Sequence, residues 1–186
     1  MSTQKVIHVG TPNIGKKDRF HQYVDEILDR KWLTNGGEVL REFESVIAEY
    51  LKVKHCIAVC NGTMGLELAI QALGLTGEVI VPSMTFVATA HALHRHGVTP
   101  VFCDIDHESY NIDPQHIESL ITSKTSGILG VHAYGLPCQI NALKELADKS
   151  GLKLFFDAAH AFGCSYNSQM IGNFGNCEVF SFHATK

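Results

Sequence analysis

Along the chain, stretches with apolar residues three or four apart alternate with short runs in which nearly every position is apolar. The first pattern covers "KKDRFHQYVDEILDR", "EVLREFESVIAEYL", "MGLELAIQALGL", "TFVATAHALHRHG", "PQHIESLI" and "INALKELADKSG". It predicts helices, because residues at that spacing share one helical face. The second pattern, in "CIAVC", "VIVPS", "PVFCDID", "GILGVHAYG", "KLFFDAAH" and "EVFSFH", predicts strands. Runs that are apolar on both alternating faces suit strands buried in a parallel sheet. The punctuation agrees: Gly74, Gly97 and Gly151 follow helical runs, and Asp113 supplies an N-cap ahead of Pro114 at the first helical position. No repeat, low-complexity tract or charge block divides the chain. The expected fold is therefore α/β, with a mainly parallel central sheet, helices on both faces, and an N-terminal helical arm. The arm is expected over residues 1–50 and the sheet-bearing domain over 51–186.

Composition narrows this picture chiefly by exclusion. The chain has 186 residues, 45% of them hydrophobic, enough for one buried core. Its net charge of −4, without any cluster of basic residues among aromatics, argues against a nucleic-acid partner. No apolar run approaches the roughly 20 residues that span a bilayer, and the polar start "MSTQK" is unlike a signal peptide, so a cytoplasmic protein without membrane attachment is expected. The six cysteines are dispersed, with no close CxxC pair, and are expected as reduced, mostly buried thiols. In "HALHRH", His91 and His94 share a helical face while His96 points away, and no carboxylate stands at ligand spacing. No metal is expected there.

In sheets of this kind ligands collect at the carboxyl ends of the strands, which is where the chemistry-bearing residues fall. The turn "NGTMG" follows "CIAVC" and opens a helix whose first N–H groups have no intrahelical partner. Such a turn binds phosphate, with Gly62 admitting close approach and Thr63 adding a hydroxyl, or it is simply an N-cap. The second glycine and the Lys-Ser/Thr ending of a Walker loop are missing. Asp157 ends the apolar run "KLFF", and a carboxylate placed there needs a partner: a protonated pyridine nitrogen, a helix N-terminus or a lysine. Phe86, directly after a strand, is a stacking platform for a flat heterocycle or a core residue. His160, three residues past Asp157, touches the same ligand or is a core histidine. Lys186 in "SFHATK" is expected to be lodged among apolar elements, where a depressed pKa makes its amine a nucleophile toward an aldehyde. Phosphate turn, stacking aromatic, carboxylate and lysine together match the needs of pyridoxal 5'-phosphate.

The ordered motifs "LTNGGEVLREFESVIAEYL", "NGT", "VPSMTFVATAHAL", "FDAAHAFG" and "FSFHATK" resemble those of the DegT/StrS-type pyridoxal-phosphate-dependent nucleotide-sugar aminotransferases, through nearly all of the chain. The resemblance implies the large domain of a fold-type I aminotransferase. By it, Lys186 is the covalent anchor of the cofactor and Asp157 the partner of the ring nitrogen. Phe86 matches the stacking aromatic and His160 the position beside the phenolic oxygen. Thr63 and Met64 match the phosphate turn, and Ser181 a second phosphate ligand. Relatives with histidine at the anchor position are dehydratases, so Lys186 implies transamination.

The resemblance further implies L-glutamate as amino donor and a dTDP-linked 4-keto-6-deoxyhexose as acceptor. "GVHAYGLPCQI" and the stretch from "FDAAHAFG" to "SFHATK" look like the subgroup making dTDP-4-amino-4,6-dideoxyglucose, a deoxysugar of O-antigen lipopolysaccharide. The 3-amino enzymes of the same family are the alternative. It also implies a homodimer with shared active sites, and, beyond Lys186, the rest of the large domain and a smaller C-terminal domain. Two other classes stand beside it: a non-catalytic module that keeps the cofactor-binding sheet, and a desulfurase, which needs a reactive exposed cysteine.

Overall fold

Two helices lead into the sheet. In the computed structural model, which describes residues 10–12 and 14–186, α1 spans Lys17–Arg30 and α2 Glu38–Leu51. The first nine residues of the expected arm, with "MSTQK", and residue 13 lie outside the described residues. α1 buries none of its residues, and α2 buries Ile47 and Leu51 against the rest of the chain. The Arg30–Glu38 ion pair and the Arg41 guanidinium, 5.2 Å over the Trp32 ring, join the two helices. Phe20, Leu28, Trp32 and Leu33 remain exposed on this arm.

The expected helices all form: α3 at Gly62–Ala72, α4 at Val87–Arg95, α5 at Pro114–Leu120 and α6 at Ile140–Ser150. The Asp113 carboxylate accepts from the N–H of Gln115 with Pro114 at the start of α5, and Gly151 ends α6 at φ 66°. Both follow from elementary constraints: an unpaired first-turn N–H seeks a side-chain oxygen, and a left-handed cap favours a residue without Cβ.

Five strands build one parallel sheet in the order β2-β1-β3-β4-β7. They are β1 Glu78–Pro82, β2 Thr99–Cys103, β3 Thr125–Val131, β4 Lys153–Asp157 and β7 Cys177–Val179. The period of two divides their side chains between two cores. Val79, Val81, Leu129 and Phe155 pack under α3 and α4, while Ile80, Ile128, Leu154 and Phe156 pack under α5 and α6. Gly130 keeps the second core tight, because a methyl group there would lie 2.6 Å from the Phe156 ring.

Two departures from the sequence pattern have a physical reason. "CIAVC" forms no strand, because apolar alternation specifies faces and not a partner, and no neighbouring strand pairs with it among the described residues. Cys56–Cys60 and the edge formed by β7 line one cavity of about 780 Å³. Conversely, a small hairpin not expected from the pattern, β5 Ser165–Tyr166 with β6 Gln169–Met170, turns through Asn167 and Ser168 at φ 48° and 64°. Two consecutive residues at positive φ make the tight turn that matches strand twist.

The cysteines are all free; Cys103 and Cys138 are buried, Cys60 is exposed, and the other three are half-buried, so "mostly buried" overstates it. No helix among the described residues is long and apolar enough to cross a membrane. Among them, no group of three or more His, Cys, Asp or Glu side chains is placed to hold a metal ion.

Candidate active site

The chain crosses from β1 to β2 on one side and to β3 on the other, so the strand order reverses between β1 and β3 and leaves a crevice at the carboxyl ends there. Each strand end delivers something to that rim. β1 runs into Phe86, the N-cap of α4, which is 74% exposed and so not a core residue. β3 runs into His132 and the short turn Ala133–Gly135. β4 ends on Asp157, and β7 runs on toward Ser181 and Lys186.

Asp157 is only 7% exposed. Its Oδ1 accepts from the N–H of Ala159 at 3.1 Å and its Oδ2 from the Thr89 hydroxyl at 2.9 Å. Its carbonyl accepts from the N–H of His132 at 3.0 Å. The His132 ring, stacked 4.7 Å from Phe156, accepts from the N–H of Cys138 at Nδ1. The carboxylate is thus held by the N–H of Ala159 just after β4 and by Thr89 of α4, while the end of β3 holds the Asp157 backbone carbonyl.

At the α3 end, the Asn61 side chain accepts from the N–H of Met64 at 2.8 Å, and the N–H of Gly65 reaches the Asn61 carbonyl. Of the two readings of "NGTMG", these bonds describe the N-cap. The cap occupies the Met64 donor, which leaves the N–H groups of Gly62 and Thr63 at the open first turn. α3 packs close to β7 at Gly65, where a methyl group would lie 2.7 Å from Val179. One on Gly62 would lie 3.9 Å from the Ser181 Cβ. Ser181 therefore stands beside the turn, and the two form a concave polar edge with the positive end of a helix dipole behind it.

The stretch after β7 is held by its own bonds. Ser181 Oγ accepts from the N–H of His183, the His183 ring pairs with the Thr185 hydroxyl at 2.8 Å, and the N–H of Lys186 reaches the His183 carbonyl. Lys186 is exposed, not lodged among apolar elements as its position after an apolar run suggested. The run is mostly apolar as far as Phe182, but the sheet ends at Val179 and the turn carries the chain out of it before the lysine is reached.

His160 is exposed too, its ring 6.0 Å from that of Tyr134 and nearly parallel to it. Partial burial of the ring, and then the Lys186 ammonium, lower its pKa below the ordinary 6.5, with the Asp157 carboxylate opposing them. Both charges thus act on one imidazole. In an NMR titration His160 is expected to protonate below pH 6.5, and Lys186→Met to raise the midpoint by removing the cation. A midpoint that Lys186→Met leaves unmoved would mean that the two are apart. A histidine depressed in the fold binds fewer protons than in the unfolded chain. Its contribution to stability is complete above pH 6.5 and is lost as pH falls through the lowered midpoint.

Sequence patterns missed three contributors. Thr85, just ahead of the α4 N-cap, and Thr89, in its first turn, lie in a segment whose helical spacing and Phe86 drew attention instead. Tyr134 carries no periodic signal, yet it has φ 53° and an exposed ring, an uncommon backbone state for a large residue. Its loop is clamped by buried Asn111, which donates to the carbonyls of Leu136 and Pro137 and accepts from the N–H of Ala133. A reactive thiol is not favoured at Cys103, Cys138 or Cys177, where burial above all raises the pKa to about 11, about 12 and about 11.

The donor set fits pyridoxal 5'-phosphate on these observations: a buried carboxylate for a cationic ring nitrogen, an exposed aromatic face, an open helix N-terminus beside a serine, and an amine whose charge reaches the same histidine. Known proteins point the same way. The family described as DegT/DnrJ/EryC1/StrS aminotransferase matches residues 15–186. A dTDP-4-amino-4,6-dideoxy-D-glucose transaminase of Escherichia coli is 46% identical over 87% of this chain and 44% of its own length. The protein of the same name from Shigella dysenteriae is 43% identical over 98% of this chain and 50% of its own. The solved structure of DesI in the presence of its TDP-sugar product superposes with a TM-score of 0.93 at 50% identity, covering 96% of this chain and 46% of that one. The chain thus spans about half the length of the relatives it matches.

Proposed function

Since the chain belongs to the DegT/DnrJ/EryC1/StrS aminotransferase family, we propose that the protein moves an amino group from L-glutamate to C4 of a dTDP-linked 4-keto-6-deoxyhexose, using pyridoxal 5'-phosphate. The observation that carries this reading is the buried Asp157 carboxylate at the same rim as an exposed Phe86 ring and Lys186. Bound there, the cofactor supplies an aldehyde and an electron-withdrawing ring.

The chain's own residues do the rest. Asp157 keeps positive charge on the ring nitrogen, an electrostatic service that grows as water is excluded. Phe86 covers one face of the ring. Gly62, Thr63 and Ser181 hold the phosphate, and Met64 contributes to the turn while its N–H stays with Asn61. Lys186 would be the covalent anchor, and its Nζ would carry a proton from the donor carbon toward the acceptor side. His160 would stand beside the phenolic oxygen.

The same reading assigns residues 51–186 to the cofactor-binding large domain and residues 1–50 to the arm. The rest of that domain and a smaller one are expected beyond Lys186 by the same reading. The exposed Phe20, Leu28, Trp32 and Leu33 of the arm support a homodimer, in which a partner copy covers them and completes each site. A cytoplasmic location suits a nucleotide-sugar substrate.

The test uses the protein as its gene encodes it in full. Purified with pyridoxal phosphate, it is expected to absorb visible light, to bleach with L-glutamate, and to convert dTDP-4-keto-6-deoxyglucose into the 4-amino sugar, identified by NMR. Amine at C3 would reassign it among the 3-amino enzymes. A colourless protein that transfers no amine would leave it a non-catalytic module.

A further inference from the structure

Asp157 is reached by one side chain from a distant part of the chain, Thr89 of α4. Thr89 is fully buried, and its hydroxyl lies 2.9 Å from Oδ2 across 68 residues of sequence. Behind it, at 2.8 Å, is the hydroxyl of Thr85. A hydroxyl has one proton, and an ionised carboxylate only accepts, so the Thr89 proton goes to Asp157 and Thr85 must donate to Thr89. Both O–H dipoles then point toward the carboxylate, and each strengthens the other in a buried setting. Were the carboxyl neutral, it could donate to Thr89 and the chain would run the other way.

The same helical turn carries Phe86, whose carbonyl accepts from the N–H of Thr89 at 3.0 Å. Threonine is stiff about χ1, so fixing the N-terminal turn of α4 fixes both the aromatic platform and the hydroxyl that aims the carboxylate. We propose that Thr89, backed by Thr85, is the positioning residue that orients the Asp157 carboxyl toward the cofactor's ring nitrogen. This rests on the reading of Asp157 given above.

The experiment measures the Kd of pyridoxal 5'-phosphate for the apo form of the full protein, with the apo melting temperature recorded alongside. Thr89→Val removes the hydroxyl at nearly constant shape and is expected to weaken affinity about tenfold, as loss of one hydrogen bond to a charged group implies. Thr89→Ser restores the hydroxyl and is expected to return affinity to within a few-fold of wild type. Thr85→Val leaves the Thr89 bond in place and is expected to produce a smaller loss, which keeps the test open should Thr89→Val fail to fold. A merely structural threonine predicts a lower melting temperature with unchanged affinity of the folded protein, and that result would overturn the proposal. So would wild-type affinity in Thr85→Val where Thr89→Val cannot be folded. Asp157→Asn separates the two layers: if it too leaves affinity unchanged, the reading of Asp157 fails, whereas weakened binding there with normal binding in the threonine variants sinks only the inference about Thr89.

Discussion

Lys186→Ala is expected to lower amino transfer on the order of 10³-fold or more in the full protein, because it removes the anchor and the proton carrier together. The turn that holds the lysine, built from the His183–Thr185 pair and the Lys186 N–H, uses no Nζ contact, so the fold should survive the change. The measurement is keto acid released from L-glutamate in a single turnover, together with the visible spectrum. Lys186→Arg is the informative control. It keeps a long cation in place, but guanidinium does not deprotonate in proteins and so cannot serve as nucleophile or base. It is expected to be as inactive as alanine. Activity within tenfold of wild type in either variant would remove Lys186 from the chemistry.

Asp157→Asn is expected to cost about 10²–10³ in turnover, the range seen when one preorganised electrostatic contact is lost. Its effect on stability should stay small, about 1 kcal/mol or less, because the surroundings can re-pair. The asparagine oxygen can accept from the N–H of Ala159, and its amide can donate to Thr89, which then turns its own proton toward Thr85. The hydrogen bonds survive with the hydroxyls reversed, and only the charge is gone. A denaturant midpoint near wild type with strongly reduced turnover is the expected pair of results. If turnover is retained, no charge is needed at that strand end.

Much of this was legible locally. Residues 38–51 were delimited by apolar spacing alone, and α2 has those bounds. The Asp113–Pro114 cap and the glycine ending α6 were equally readable, since each answers a constraint contained within a few residues. That Phe86, Asp157, His160 and Lys186 fall at or after strand ends was legible, since strand ends share one side of a parallel sheet. "CIAVC" misled because a strand exists only by pairing. The exposure of Lys186 was unreadable from the apolar run before it, since a turn between them redirects the chain.

The sequence by itself determined the α/β periodicity, the capping points and the residue types that a pyridoxal phosphate site requires. Backbone geometry ties all of these to spacing within a short window. Only the tertiary structure decided which donors meet the Asp157 carboxylate, that the Ser181 stretch lies beside the Gly62 turn, and that Tyr134 faces His160. Those contacts depend on how helices pack across the sheet, and no local window contains the angle at which α4 delivers Thr89 to a strand 68 residues away.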